Sequence, residues 1–420
     1  MALSLMPNCR LSPPAPLYNI EKSVQAPTAM VVSPHPLATD IGNAVLKAGG
    51  NATDAMVAVQ FALAVVYPRA GNVGGGGFMV FRNNDGSTAS VDYREKAPAM
   101  ASRDMYLDAE GKVDPVKSRA GHLAAGVPGA VDGLLQAWEK YGQLKDRSAI
   151  LNPAIKLASE GFAITATEAN RLNGFAEAFA KYNDAGHTAF MKDTDWQEGD
   201  LLIQKELAHT LELIRDQGRN GFYTGETADK IVAEMQQGGG LISLEDLKNY
   251  SAKWRAPVTG QYKDYTIISM PPPSSGGIAL VQLLKIVENY PLQQWGFHST
   301  KSVHLMTEAE RRVYADRAEH LGDSDFYPVP QDSMLQADYL QERMEDYDAS
   351  LATASDEVLA GNFNMAKESF ETTHTSIIDG AGNAVSCTTT LNSNYGCKVV
   401  VDGAGLALKS SISLLRKKPA

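Results

Sequence analysis

Glu371-Thr372-Thr373-His374-Thr375-Ser376-Ile377-Ile378-Asp379-Gly380-Ala381-Gly382-Asn383-Ala384-Val385-Ser386-Cys387-Thr388-Thr389-Thr390-Leu391-Asn392 is the stretch on which the fold turns. Residues 372–378 and 383–390 are rich in Thr, Val and Ile, and Asp379-Gly380-Ala381-Gly382-Asn383 carries turn chemistry between them. The spacing predicts a β-hairpin. Upstream, a short strand at 29–32 precedes a helix over 36–47, with apolar residues at helical spacing and Gly49-Gly50 after its end. A helix over 52–66 is apolar on nearly every face, so it is expected to be buried on all sides. Gly74–Gly77 lead into a strand at 78–81, and Asn83-Asn84-Asp85-Gly86 turn the chain into a second strand at 89–93. Further helices are predicted over 128–141, 148–160, 205–216, 227–237, 244–250, 303–321 and 332–348. Another runs from the Pro271–Gly277 loop to residue 288, after a strand at 261–270. Helices on an antiparallel core predict a layered α+β or α/β fold.

The length of 420 residues is that of two or three domains or one large one. With 38 Lys and Arg against 49 Asp and Glu, the net charge of −11 argues against nucleic acid or an anionic membrane surface as the main partner. No apolar run reaches the roughly 18–20 residues that cross a bilayer; 55–67 is short and interrupted by Gln60. The three cysteines, Cys9, Cys387 and Cys397, are too few and too scattered for a disulfide framework or a zinc site, though a Cys387–Cys397 bridge stays open. Residues 1–10 have neither a cationic start nor a long apolar core, so they do not read as a signal peptide. The Pro- and Ser-rich residues 7–17 read as part of a flexible leader over 1–27.

Chemistry concentrates at the start of the hairpin. Read alone, Thr372 is a strand threonine. If the 371–372 bond is cut, Thr372 gains an α-amine of pKa roughly 8 beside its own hydroxyl, and that amine can serve as an internal base. The hydroxyl can itself attack the Glu371 carbonyl and open that bond by way of an ester. His374, two residues on, reads as structural. His304 and Glu308 lie at i, i+4 spacing but lack a third ligand, so they read as a helix-face pair. Gly74–Gly77 lack the Lys-Ser/Thr of a phosphate loop and read as tight backbone packing.

The hairpin, with Glu371-Thr372-Thr373-His374, Gly382-Asn383-Ala384-Val385 and Thr388-Thr389-Thr390-Leu391-Asn392, resembles the start of the small subunit of γ-glutamyltranspeptidases. Upstream stretches resemble the same family in order. They are Gly49-Gly50-Asn51-Ala52, Gly71-Asn72 with Gly74–Gly77 and Phe78, Asp92-Tyr93-Arg94-Glu95, Gly126-Val127-Pro128-Gly129, Met270–Gly277, and Tyr314-Ala315-Asp316-Arg317. The resemblance implies an α+β fold of the N-terminal-nucleophile hydrolase type, an αββα four-layer sandwich. It implies a precursor that cuts itself into large and small chains, with Thr372 as the nucleophile. The reaction implied moves a γ-glutamyl group from glutathione or another γ-glutamyl amide, through an ester, to water or to an amino-acid or peptide acceptor. No cofactor or metal is implied. Arg94 matches the arginine that holds the donor's α-carboxylate, a task suited to a guanidinium fork; the alternative is a surface pair with Asp92 or Glu95. Thr390 matches the threonine that hydrogen-bonds the nucleophile, and Asn392 the residue that contacts the substrate glutamate. A strand continued to 392 would put both on one face. The resemblance implies a periplasmic or extracellular protein, although residues 1–10 do not read as a signal peptide.

The organisation expected is a large-subunit region over 28–371, the start of a small-subunit region over 372–405 and a non-family tail over 406–420. The later family features (an amine-binding Asp, a Ser-Ser pair and an oxyanion-forming Gly-Gly pair) are not recognisable, so a fold incomplete at its C-terminus is expected. The tail holds Lys409, Arg416, Lys417 and Lys418 and no acidic residue. Two other readings stay open: an unprocessed, inactive family member, and an acylase of other amides such as a β-lactam side chain.

Overall fold

The computed structural model describes residues 23–183, 188–361 and 373–410. Its centre is a six-stranded antiparallel sheet of β1 (Met30–Val32), β2 (Gly76–Arg82), β3 (Thr88–Asp92), β6 (Lys253–Arg255), β9 (Thr373–Ile378) and β10 (Ala384–Thr390), in the order β1-β9-β10-β2-β3-β6. The two-residue strands β4 (Phe162–Ala163) and β5 (Leu201–Leu202) pair with each other away from it. The β9–β10 hairpin is therefore central: Thr375 lies opposite Cys387, and β10 pairs β2 along its whole length, from Ala384 with Arg82 to Thr390 with Gly76.

Alternation along the hairpin sends Thr373, Thr375 and Ile377 inward with Val385, Cys387 and Thr389, while His374, Ser376 and Ile378 are exposed on the other face. The inward face meets α2 (Ala52–Val66), which follows α1 (Pro36–Lys47). All fifteen residues of α2 are buried, as its all-round apolarity requires. Its interior polar group Gln60 donates to Thr375 Oγ1 at 3.2 Å, which satisfies a hydrogen-bonding group with no access to water. Asn51 and Asp54 form a capping box at its start. The helices α3 (Ala130–Tyr141) and α4 (Arg147–Glu160) cover it further.

A second, smaller body is built on helices Gly276–Glu288 and Thr300–His320 with their own apolar clusters. Two expectations are corrected here. The strand expected at 261–270 is a hairpin of β7 (Val258–Tyr262) and β8 (Tyr265–Ser269), turned at Lys263, whose φ of 51° is left-handed. The helix expected over 332–348 is broken into Gln331–Met334 and Ala337–Glu342. Gln282 and Lys285 of the neighbouring helix capture the carbonyls of Met334 and Leu335, at 3.0 and 2.8 Å, so those oxygens leave the helical ladder.

The possible bridge does not form: Cys387 and Cys397 are both free and buried, and Cys387 lies 3.0 Å from the Tyr93 hydroxyl. Packing runs across residue 405 without a break. Leu406 and Leu408 are buried, and single bridges join Val400 to Ala407 and Ala125 to Ser410.

Candidate active site

Thr372 and Glu371 lie outside the described residues, as do residues 411–420. The first described residue of the hairpin, Thr373, pairs with Thr389; Thr390 follows as the last residue of β10, opposite Gly76. The glycines here are a matter of space. A Cβ on Gly76 would meet Glu95 N at 2.6 Å and Arg94 Cα at 2.9 Å; one on Gly75 would meet Thr390 O at 2.6 Å. Only bare backbone lets residues 93–95 close against the start of β2. The Gly75 carbonyl accepts from the N–H groups of Gly129 and Ala130, so the Gly126–Gly129 segment joins the same knot.

Arg94 is held at its backbone. Its N–H donates to Asp92 Oδ1 at 3.0 Å, and its carbonyl accepts from the Tyr250 hydroxyl at 2.7 Å. Its side chain is about a fifth exposed (19%), with Nε 3.8 Å from Glu95 Oε1. Arg94 and Glu95 thus form an ion pair, and both neighbouring carboxylates also meet a second cation. Asp92 is paired with Arg255 at 2.8 Å, and Glu95 forms a buried ion pair with Lys409. Burial pushes the Asp92 carboxyl up from its ordinary range, against the pull of the Arg94 N–H and the Arg255 guanidinium.

Asn392 differs from expectation. The strand ends at Thr390, and Asn392 sits in a left-handed conformation with φ 62°. Its N–H donates to Thr390 Oγ1 at 2.8 Å, so the two residues meet through a local turn rather than along one strand face. The Asn392 amide donates to the Ser410 carbonyl at 2.7 Å, and Ser410 N–H returns to the Leu391 carbonyl at 3.2 Å. Lys409 N–H donates to the Gly74 carbonyl, at 3.1 Å. Residues 409–410 thus tie the turn after β10 to Gly74. The sequence places Lys409 among the basic residues of the tail without a role in the site; its one signal is a lone lysine after the apolar run Leu406-Ala407-Leu408, which requires a buried counter-charge.

His374 stands on the exposed face in a hydroxyl cluster. Nδ1 is 2.8 Å from Thr388 Oγ1, and Nε2 is within 3.2 Å of Ser376 and Ser386. Burial pushes its pKa down. His304 and Glu308 face different partners: His304 meets the Asp348 carbonyl, while Glu308 binds Arg312 at 2.6 Å. Arg317 donates to Ser275 Oγ at 2.9 Å, which joins the 314–317 and 270–277 stretches.

The model of the γ-glutamyltranspeptidase family matches residues 38–418. This chain belongs to the γ-glutamyltranspeptidase family. The match continues past residue 405, where the stretches quoted from the sequence stop. The chain is 42% identical over 415 residues to the glutathione hydrolase proenzyme of Escherichia coli, covering 97% of this chain and 71% of that protein. Among solved structures, the γ-glutamyltranspeptidase of Helicobacter pylori superposes with a TM-score of 0.77 at 45% identity, over 82% of this chain and 97% of that one. A cephalosporin acylase from Bacillus halodurans superposes with a TM-score of 0.82 at 27% identity, over 95% and 72%. The fold is that of the N-terminal-nucleophile hydrolases to which γ-glutamyltranspeptidases belong. The central sheet and α2 supply one β layer and its covering helical layer.

Proposed function

We propose that this γ-glutamyltranspeptidase-family chain hydrolyses and transfers γ-glutamyl groups from glutathione and other γ-glutamyl amides, with Thr372 as nucleophile. The observation that carries this reading is that Gly75–Gly76 lie against both Thr390 and the Arg94 backbone, with Asn392 tied to Thr390 by a local turn. It sets the Arg94 backbone against the residue that pairs with Thr390.

The family assignments give each of these residues a step. Thr372 attacks the Glu371 carbonyl, the N–O shifted ester is hydrolysed, and the new α-amine becomes the base for the same hydroxyl. Arg94 holds the donor's α-carboxylate by two charge-assisted bonds. Thr390, tied to Asn392, orients the nucleophile while Asn392 contacts the glutamyl group. Attack on the γ-carbonyl expels the amine and leaves a γ-glutamyl ester. Water then releases glutamate, or an amino acid or peptide takes the acyl group.

Intact mass and a γ-glutamyl anilide assay test this directly. The expected result is fragments 1–371 and 372–420 with turnover, both lost in Thr372→Ala. An uncut chain without turnover overturns it. A glutaryl anilide, which keeps the carboxylate but lacks the amine, separates the acylase reading: preference for the glutaryl compound favours an acylase.

A further inference from the structure

Glu308, Arg312, Asp316 and His320 recur at every fourth residue of the helix Thr300–His320, along one stripe of its surface, and none is more than 2% exposed. Buried polar and charged groups require partners. The non-helical run 346–361 supplies one to each of them. Arg312 binds Asp346 at 2.7 Å. Glu308 accepts from the N–H and the hydroxyl of Thr353, at 3.2 and 2.7 Å. Asp316 accepts from the Gly361 N–H at 2.8 Å, and also from the Tyr339 hydroxyl at 2.7 Å and from Arg343 at 3.0 Å. His320 Nε2 donates to the Gly361 carbonyl. The stripe therefore holds the run step by step down the helix, and Gly361 is gripped through both its N–H and its carbonyl.

Gly361 and Thr373 bracket the 371–372 bond in the sequence, with the eleven residues 362–372 between them. Thr373 is fixed by its pairing with Thr389, and Gly361 is fixed by the stripe. We propose that Asp316 is a positioning residue for self-cleavage: by holding Gly361 it sets the point from which the chain approaches the 371–372 bond. The proposal rests on the reading of Thr372 as the group that opens that bond. In that step the Thr372 hydroxyl adds to the Glu371 carbonyl, the C–N bond gives way to a C–O ester, and the hydroxyl proton passes to the freed amine. Water then opens the ester to a carboxylate and restores the hydroxyl. Attack of this kind needs hydroxyl and carbonyl in register, and a misplacement of about 1 Å costs up to about a hundredfold in rate. The hydroxyl side of the bond follows Thr373, and the carbonyl side follows the chain that leaves Gly361. Once the bond is cut, the two sides part, so Asp316 bears on cleavage and not on later turnover.

Time courses of intact mass on freshly synthesised full-length chain, with KM and kcat for a γ-glutamyl anilide expressed per cut chain, test this. Asp316→Ala should slow cutting by about tenfold while KM and kcat per cut chain stay close to the parent values. Asp316→Asn keeps an oxygen that accepts the Gly361 N–H, and should recover most of the lost rate. Cutting at the parent rate in Asp316→Ala, or no recovery in Asp316→Asn, overturns the proposal. An equal fall in kcat per cut chain also overturns it, because a purely structural role damages both steps together. If Asp316→Ala does not fold, as judged by its thermal midpoint, Gly361→Pro decides: it removes the N–H and leaves every side chain of the stripe in place. Slowed cutting with turnover per cut chain retained then supports the proposal, and cutting at the parent rate overturns it. A parent chain that stays uncut is a different failure, that of the cleavage reading itself.

Discussion

Asp379 shows how one residue ties distant sequence together. Its carboxylate accepts from the N–H groups of Ala52, Ala381 and Asn383 and from the Asn383 amide, at 2.8–3.0 Å. It thereby fastens the hairpin turn to the first turn of α2. Burial alone would raise its pKa, but the bonds from Asn383, Ala52 and Ala381 outweigh burial and hold it below the ordinary range. A depressed folded-state pKa gives stability that is present above the unfolded value near 3.9 and is lost as pH falls through the folded one. Asp379→Asn should therefore lower stability at pH 7 by about 1–3 kcal/mol, with the difference from the parent shrinking as pH falls below the unfolded value and through the folded one. Urea midpoints at pH 7 and across that acid range check it. Glu308 and Asp325, both held down to about 2, lose their contributions in the same acid window. At this scale Arg94, Thr390 and Asn392 were legible as motif positions. The left-handed φ of Asn392 and the Lys409–Glu95 pair were not: the first depends on where β10 stops, and the second joins residues 314 positions apart.

The elements with strong periodicity were legible almost to the residue. The helix read over 36–47 spans Pro36–Lys47, and that read over 52–66 spans Ala52–Val66. Both have local stops and caps. The capping box of α2 is reinforced by the Asn51 amide, which donates to the Tyr141 carbonyl at 2.7 Å. Asn51→Ala should cost about 1–2 kcal/mol, read as a lower urea midpoint with unchanged far-ultraviolet dichroism. Elements whose limits depend on neighbours were not legible. The β7–β8 turn at Lys263-Asp264 has no glycine or asparagine to announce it. The broken helix after residue 331 yields its carbonyls to side chains of another helix.

Over the whole molecule, the central sheet and the smaller body are joined through β6. Arg255 grips Asp92 on β3 and Asp325 beyond the second helix of the smaller body, at 2.8 and 2.7 Å, and Lys253 adds a further bond to Asp325. Arg255→Met leaves two carboxylates without their guanidinium, and breaking such a mostly buried pair costs about 3–5 kcal/mol. Amide hydrogen exchange should speed up by at least about tenfold in β6, β7 and β8 while α2 stays protected; equal acceleration in α2 would show that the two bodies open as one. The sequence by itself determined the antiparallel hairpin, the buried helix beneath it and the family to which both belong. Those rest on periodicity, caps and motifs that act within a few residues. Only the tertiary structure decided which charges meet: that Glu95 is balanced by Lys409, that Asp92 is held by Arg255, and that Asn392 reaches Thr390 through a turn. Ion pairs across hundreds of residues are set by the packing of the intervening chain, and no local pattern encodes that packing.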